Sequence, residues 1–247
     1  MLYVYTIALG IVQGFTEFLP VSSSGHLILL ENLFDKPSLF FNVMLHFATL
    51  ASVIVVMRKR IKDLILHPLN KTNLYVIISM IPTGIIAFII KLKFPMLLDG
   101  ALLPFGFLVT SVLLVLPTLS NKPRLLNGKT SFFAGLTQGV AVLPGISRSG
   151  AVISVMNMLG VPEKESAEFA FLMSIPVIIG STAVEIISAE RMFIGEFLPV
   201  LVGMAFAFVC GFFALKFMLN KLNRHNLVKF APYTFILSAL SFVLAQL

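Results

Sequence analysis

Long apolar stretches dominate this chain, and the polar residues fall between them. Six stretches, 39–57, 73–91, 101–118, 166–186, 197–219 and 230–246, carry almost no charge. A helix needs about 20 such residues to cross a bilayer, so each is predicted to be a membrane span. Two further apolar segments are interrupted. Residues 2–33 break at Leu19-Pro20 and the serines after it, and residues 131–159 break at Pro144-Gly145. Each reads as helix, polar turn, helix, with neither half long enough to cross. Both are predicted to be re-entrant hairpins, whose irregular backbone is tolerated at membrane depth only where protein or a wet cavity surrounds it.

The two broken segments match each other. A shift of 125 residues lays Gly10-Ile11-Val12-Gln13-Gly14 on Gly135-Leu136-Thr137-Gln138-Gly139 without a gap. The same shift lays Ser22, Ser24 and Gly25 on Ser147, Ser149 and Gly150. The expectation is one membrane domain over 1–247, made of internal repeats at about 1–120 and 126–247. One hairpin and three spans per half invert the halves in the membrane. Inverted repeats with broken helices place their site where the breaks meet, near the midplane. The fold class is therefore all-α, polytopic, with about six spans, two re-entrant hairpins and an inverted-topology repeat.

Composition agrees with this reading. Of the 247 residues, 58% are hydrophobic and 12% charged, and the mean hydropathy is +0.99. A formal net charge of +7 would suggest nucleic acid in a soluble protein. Here the cations sit in short loops: Arg58, Lys59, Arg60, Lys62 and Lys71; then Lys122, Arg124 and Lys129; then Lys216, Lys221, Arg224 and Lys229. Loops of this kind face the cytoplasm and its anionic lipid, so the bilayer, not nucleic acid, is the expected partner. The first hairpin then dips in from the outer face and the second from the inner face. The single cysteine, Cys210, has no internal partner and reads as a packed small side chain. The N-terminus lacks the basic region and cleavage site of a removable signal peptide.

Chemistry-bearing residues gather at the two breaks. In the first, Gln13 and Glu17 lie four apart on one helix face, Pro20 ends that helix, and Ser22, Ser23 and Ser24 cap the next. His26 follows Ser23 by about one turn. In the second, Pro144-Gly145-Ile146-Ser147-Arg148-Ser149-Gly150 repeats the design, with Arg148 in the register of Ser23. Two helix N-termini and a guanidinium make an anion trap suited to phosphate. A charge at the bilayer centre costs about 2.5–3.5 kcal/mol on insertion scales, so Glu17 and Arg148 each need a partner. A buried ion pair that only ties the hairpins together would meet that need, but would leave His26 and the serines unexplained. Asn42 and His46, four apart on the first span, either line the cavity or bond between helices. Glu168 and Glu185 read as solvated helix ends, and His67 and His225 as surface residues. No zinc spacing, dinucleotide fingerprint or Walker loop is present.

The segments Gln13-Gly-Phe-Thr-Glu17-Phe-Leu-Pro-Val-Ser-Ser-Ser-Gly-His26 and Pro144-Gly-Ile-Ser-Arg148-Ser-Gly150 resemble the two signatures of the bacterial undecaprenyl-diphosphate phosphatases, the bacitracin-resistance proteins. The resemblance covers essentially the whole chain. It implies hydrolysis of undecaprenyl diphosphate to the monophosphate in the bacterial inner membrane, which recycles the carrier lipid for peptidoglycan synthesis and confers bacitracin resistance. It further implies a site reached from the outer face and dependence on a divalent cation, Mg²⁺ or Ca²⁺. The family's acidic motif is often Glu-x-x-x-Glu. Gln13 in its first position is a weaker ligand, leaving Glu17 and Gln13 as the metal candidates. Position 152, often Thr in the family, is Val here.

In the mechanism these residues suggest, Ser23 is the nucleophile and His26 its base, with Glu17 orienting His26 or holding a metal. Arg148 and the helix N-termini stabilise the phosphate, with contacts from Ser22, Ser24, Ser147, Ser149 and Gly145. A phosphohistidine on His26 is the competing version. The partner is a polyprenyl diphosphate lipid, and a homodimer is left open. Three rival functions exist: a transporter or flippase of lipid phosphate or small anions using the same site; a lipid phosphatase of the acid-phosphatase type, for which the histidine required after Ser147-Arg148 does not come until His225; and a structural scaffold.

Overall fold

A computed structural model describes residues 2–31, 39–119, 125–188 and 197–246. The described residues are helical with no strand: α1 Leu2–Phe18, α2 Ser23–Glu31, α3 Leu39–Val56, α4 Arg58–Leu66, α5 Lys71–Lys93, α6 Leu103–Val115, α7 Gly128–Val140, α8 Arg148–Met158, α9 Glu163–Ser188, α10 Phe197–Lys221, α11 Arg224–Val228 and α12 Ala231–Leu244. The described residues are thus all-α, as the sequence pattern requires.

Local chemistry sets the starts of these helices. The Asn70 side chain accepts from the Thr72 N–H at the head of α5, and Asn127 forms a reciprocal capping box with Thr130 at the head of α7. Ser147 caps α8 by accepting from the Gly150 N–H at 3.2 Å. Pro82 and Pro176 lie inside α5 and α9. Prolines are tolerated in membrane helices because neighbouring groups satisfy the freed backbone. Beside Pro82, the Thr83 hydroxyl donates to the carbonyls of Ser79 and Gly135, tying α5 to α7.

The distribution of polarity suits a lipid solvent. Ile77, Ile81, Ile85 and Phe88 form an exposed stripe on α5, and Tyr233, Ile236, Leu240 and Val243 form one on α12. Meanwhile Thr49, Ser52, Ser79, Thr110, Ser131, Ser154 and Thr234 are buried. Apolar surface this extensive faces acyl chains, not water. Among the described residues four runs are long and apolar enough to cross a membrane, α5, Glu163–Val184 of α9, α10 and Asn226–Leu244; Phe41–Val56 of α3 joins them only when counted with α4, from which it is bent by 77°. The protein is thus a multi-pass membrane protein. With α3 so counted, α6 is the one of the six expected spans that falls short. Its α-helix is 13 residues and a 3-10 turn carries it on to Leu119, because Pro117 cannot continue the hydrogen-bond ladder.

Packing is reciprocal. α1 lies along α10, and α7 lies along α5; α3 meets α9, and α6 meets α12. Small residues allow the closest approaches. A Cβ on Gly14 would stand 2.6 Å from the Ala207 carbonyl oxygen, and one on Gly139 would stand 2.8 Å from Ile86 Cβ. Close backbone contact of this kind drives association where lipid removes the hydrophobic force between helices. Cys210 packs against Gly14, a free thiol in a helix interface. The largest buried cluster joins Phe18 of α1 to Val152 and Met156 of α8, Phe171 and Met173 of α9, and Leu215 of α10. Phe18 and Phe171 meet edge to face at 5.8 Å. This cluster holds the end of α1 against the start of α8, which is where the two polar breaks face each other.

Candidate active site

Each break ends one helix and starts another within a few residues. After α1, Ser22 takes a left-handed conformation, φ 70°, and its hydroxyl accepts from the Gly25 N–H at 3.3 Å. A non-glycine residue there stores about 1–3 kcal/mol of strain. The His26 ring helps hold the turn, with Nδ1 donating to the Ser22 carbonyl at 2.7 Å. After α7, Gly145 supplies the positive φ, 89°, without a Cβ penalty. Its carbonyl accepts from Thr110, whose hydroxyl in turn accepts from the Ser147 N–H at 2.9 Å. The serine pairs are alike: Ser22 and Ser24 hydroxyls are 3.4 Å apart, as are those of Ser147 and Ser149.

The breaks meet at Glu17. One carboxylate oxygen pairs with the Arg148 guanidinium. The other accepts from Ser23 Oγ at 2.6 Å and from Gln13 Nε2 at 3.1 Å. The same Gln13 amide donates to His46 Nδ1 at 3.0 Å, and that ring lies 3.7 Å from Glu17. Glu17 is almost wholly buried and Arg148 about one-fifth exposed. A buried ion has a large desolvation cost, which the guanidinium, hydroxyl and amide together offset. A second carboxylate at position 13 would face Glu17 as a like charge; the amide of Gln13 donates to it instead.

A cavity of about 220 Å³ opens beside this cluster. Glu17, Ser22, Ser23, Ser24, His46, Ser147 and Arg148 are among its polar lining residues, and Ala87, Ala141, Val142, Val177 and Ile178 among its apolar ones. It is smaller than the ~300–1,000 Å³ of sites that enclose drug-sized ligands.

The expected residues divide accordingly. Glu17, Ser22, Ser23, Ser24, Ser147 and Arg148 are brought together. His26 is not brought to Ser23: its Nε2 accepts from the Tyr233 hydroxyl at 2.7 Å, its ring stacks on Tyr233, and it does not line the cavity. Gly145 and Ser149 lie behind the lining, shaping the turn. Gln13 lies behind Glu17. His46 lines the cavity, whereas Asn42 donates to Glu31 at 2.8 Å, a bond between helices. Val152 is in the core, away from the cavity, so a hydroxyl there would not reach a ligand. His67 is exposed and bonds Asp63; Glu168 is half-buried near the head of α9; the side chains of Glu185 and His225 lie outside the described residues. Sequence reasoning did not single out Gln138, Thr83 and Ser181, which also line the cavity. The 125-residue shift already placed Gln138 on Gln13, and that was the available signal.

The residues do not form a ready divalent-cation site. Among the described residues no group of three His, Cys, Asp or Glu side chains is placed to hold a metal. Glu17 already shares both oxygens with Arg148, Ser23 and Gln13. A cation there would stand against a guanidinium.

The described residues thus make an all-helical, multi-pass membrane protein of the class with a polar site, an arginine, a carboxylate-bonded serine and two capped helix starts, set among its membrane helices. The particular family follows from comparison with known proteins. The family model described as bacitracin resistance protein BacA matches residues 6–240, and the chain belongs to that family. It is 36% identical to the undecaprenyl-diphosphatase of Carboxydothermus hydrogenoformans, over 96% of this chain and 95% of the relative. It is 38% identical to that of Christiangramia forsetii, over 97% and 98%, and 37% identical to that of Treponema denticola, over 92% and 91%.

Proposed function

We propose that the protein is an integral membrane phosphatase that hydrolyses undecaprenyl diphosphate to undecaprenyl phosphate and inorganic phosphate, recycling the carrier lipid of cell-wall synthesis. The observation that carries this reading is the meeting of Ser23 and Arg148 on one buried carboxylate, Glu17, at the wall of a cavity.

Phosphoryl transfer depends on positioning and on stabilising charge around the phosphorus. Ser23 is the nucleophile, its hydroxyl already donating to Glu17 Oε2 at 2.6 Å. As the Ser23 oxygen bonds to the terminal phosphorus, its proton passes to Glu17 and the bridging P–O bond breaks. Undecaprenyl phosphate leaves. Arg148 and the starts of α2 and α8 neutralise the phosphoryl oxygens. Water then displaces the phosphoryl group from Ser23, the serine oxygen regains a proton from Glu17, and inorganic phosphate departs. In this scheme Glu17 takes the base role, and His26 positions the Ser22 turn from outside the cavity. No step uses a metal. A divalent cation serving this enzyme would be held chiefly by the diphosphate oxygens of the lipid.

The finer topology belongs to the same proposal. The chain has six spans and two re-entrant hairpins, α1 with α2 and α7 with α8, in inverted repeats at about 1–120 and 126–247. Reciprocal packing of α1 on α10 and α7 on α5 supports the duplication, since the 125-residue shift exchanges those pairs. The basic loops lie in the cytoplasm of a bacterial inner membrane, and the cavity opens to the outer face. The polyprenyl diphosphate and the bilayer are its partners, and a second copy of the chain, in a homodimer, is a third.

The test is phosphate release from undecaprenyl or farnesyl diphosphate by detergent-purified protein. Stoichiometric release of phosphate and prenyl monophosphate is expected. Binding without release would assign the same site to transport instead.

A further inference from the structure

Gln138 stands on the cavity wall with nothing in the protein bonded to its amide. It is 3% exposed, and neither its Oε1 nor its Nε2 has a hydrogen-bond partner. A buried amide with no partner is destabilising, and proteins seldom keep one. The contrast with Gln13 is instructive. The repeat lays these two glutamines on one another, and it lays Glu17 on Val142. Gln13 donates to the carboxylate one turn further on; Gln138 has a valine there. Asn157 of α8 is buried with its amide equally unpartnered, but it does not line the cavity; Gln138 does, so a ligand in the cavity can supply its partner.

Its neighbours indicate which part of a ligand that is. Arg148, Ser23, Glu17 and the two helix starts lie together at the breaks. Gln138 lies on α7 before the second break, next along the wall to Ala141 and Val142. Thr83 and Ala87 of α5, the helix packed along α7, continue the wall beside it. Gln138 thus sits where the polar wall gives way to the apolar one. In a prenyl diphosphate the group at that junction is the phosphate esterified to the lipid.

We propose that Gln138 donates its amide N–H to the lipid-side phosphate of the substrate, and so binds the diphosphate and the prenyl monophosphate product but not free phosphate. This rests on the reading of the cavity as the diphosphate site. Gln138 is a binding residue; it takes no part in bond making or breaking.

The experiment compares wild type, Q138L and Q138E in detergent with farnesyl diphosphate, with farnesyl monophosphate and inorganic phosphate as inhibitors. For Q138L, KM should rise about 10- to 100-fold, the range of one hydrogen bond to a charged group, with kcat little changed. Inhibition by farnesyl monophosphate should weaken by the same factor while inhibition by inorganic phosphate stays as in wild type. The Q138L Tm should equal or exceed that of wild type, because leucine removes an unpartnered polar group. Q138E, which sets a carboxylate against the phosphate, should raise KM further. A wild-type KM in either variant would overturn the assignment. So would a lowered Q138L Tm with loss of kcat, which marks a structural residue, or equal weakening of both inhibitors, which places the amide on the terminal phosphate. Failure of wild type to release phosphate would instead remove the phosphatase reading itself.

Discussion

Glu17 and Arg148 are 131 positions apart in the chain, yet their side chains form a buried ion pair that joins the end of α1 to the first residue of α8. The pair holds the two polar breaks face to face. The other oxygen of the same carboxylate accepts from Ser23 Oγ, so Glu17 is the point at which the arginine of one break and the serine of the other meet.

Removing either partner of the ion pair tests this arrangement. Arg148→Ala should lower kcat by about 10²–10³-fold, the usual loss when one donor to a developing oxyanion is deleted. It should also lower Tm, because an unpaired buried carboxylate costs about 3–5 kcal/mol. The double variant Glu17→Gln/Arg148→Ala should recover most of the Tm and none of the activity. Steady-state kinetics and thermal unfolding in detergent check both. An active Arg148→Ala enzyme would end the mechanism.

Covalent trapping distinguishes Ser23 from His26. Quenching in detergent at mildly alkaline pH, where phosphohistidine also survives, during turnover of substrate labelled in its terminal phosphate, followed by mass spectrometry, should find phosphate on Ser23 and none on His26. Ser23→Ala should abolish the label. Phosphate on His26 would require its ring to leave Tyr233 and turn into the cavity.

Helix packing at the glycines should be intolerant of bulk. A valine at Gly14 meets the Ala207 carbonyl and Cys210. Backbone does not yield as a flexible side chain does, so Gly14→Val should cost at least the ~1–3 kcal/mol typical of overpacking. Gly84→Ala, whose added Cβ meets nothing within 4 Å, should leave Tm unchanged. Parallel thermal unfolding curves test the pair.

Cation binding should require substrate. Calorimetric titration of the protein alone with Mg²⁺ or Ca²⁺ should show no saturable site. The same titration with a non-hydrolysable prenyl diphosphate should show one. A tight site in the protein alone would mean that Glu17 leaves Arg148 to bind metal.

Exposed ionic contacts should matter little. His67 lies on the surface bonded to Asp63, and His67→Ala should change neither activity nor Tm beyond about 0.5 kcal/mol. A large effect would give the α4–α5 loop a role that its exposure does not suggest.

The sequence by itself determined the solvent, the helices and the two breaks. Apolar length specifies spans because lipid offers backbone groups no partner, and Pro20 and the Pro144-Gly145 pair, each followed by capping serines, mark the two breaks, whereas Pro82 and Pro176, with no such cap after them, stay inside helices. The serine caps, Ser22 and Ser147, were equally legible, since capping is a local hydrogen bond over three residues. What faces what was decided by tertiary structure alone. His26 lies one turn from Ser23 in the chain, but Tyr233, 207 positions away, draws its ring out of the cavity. Gln13 and Gln138 match in sequence, but only packing shows that one is bonded and the other open. Local spacing fixes which helix face a side chain leaves from. Its partner depends on which helices the small residues allow to come close, and that is a property of the folded bundle.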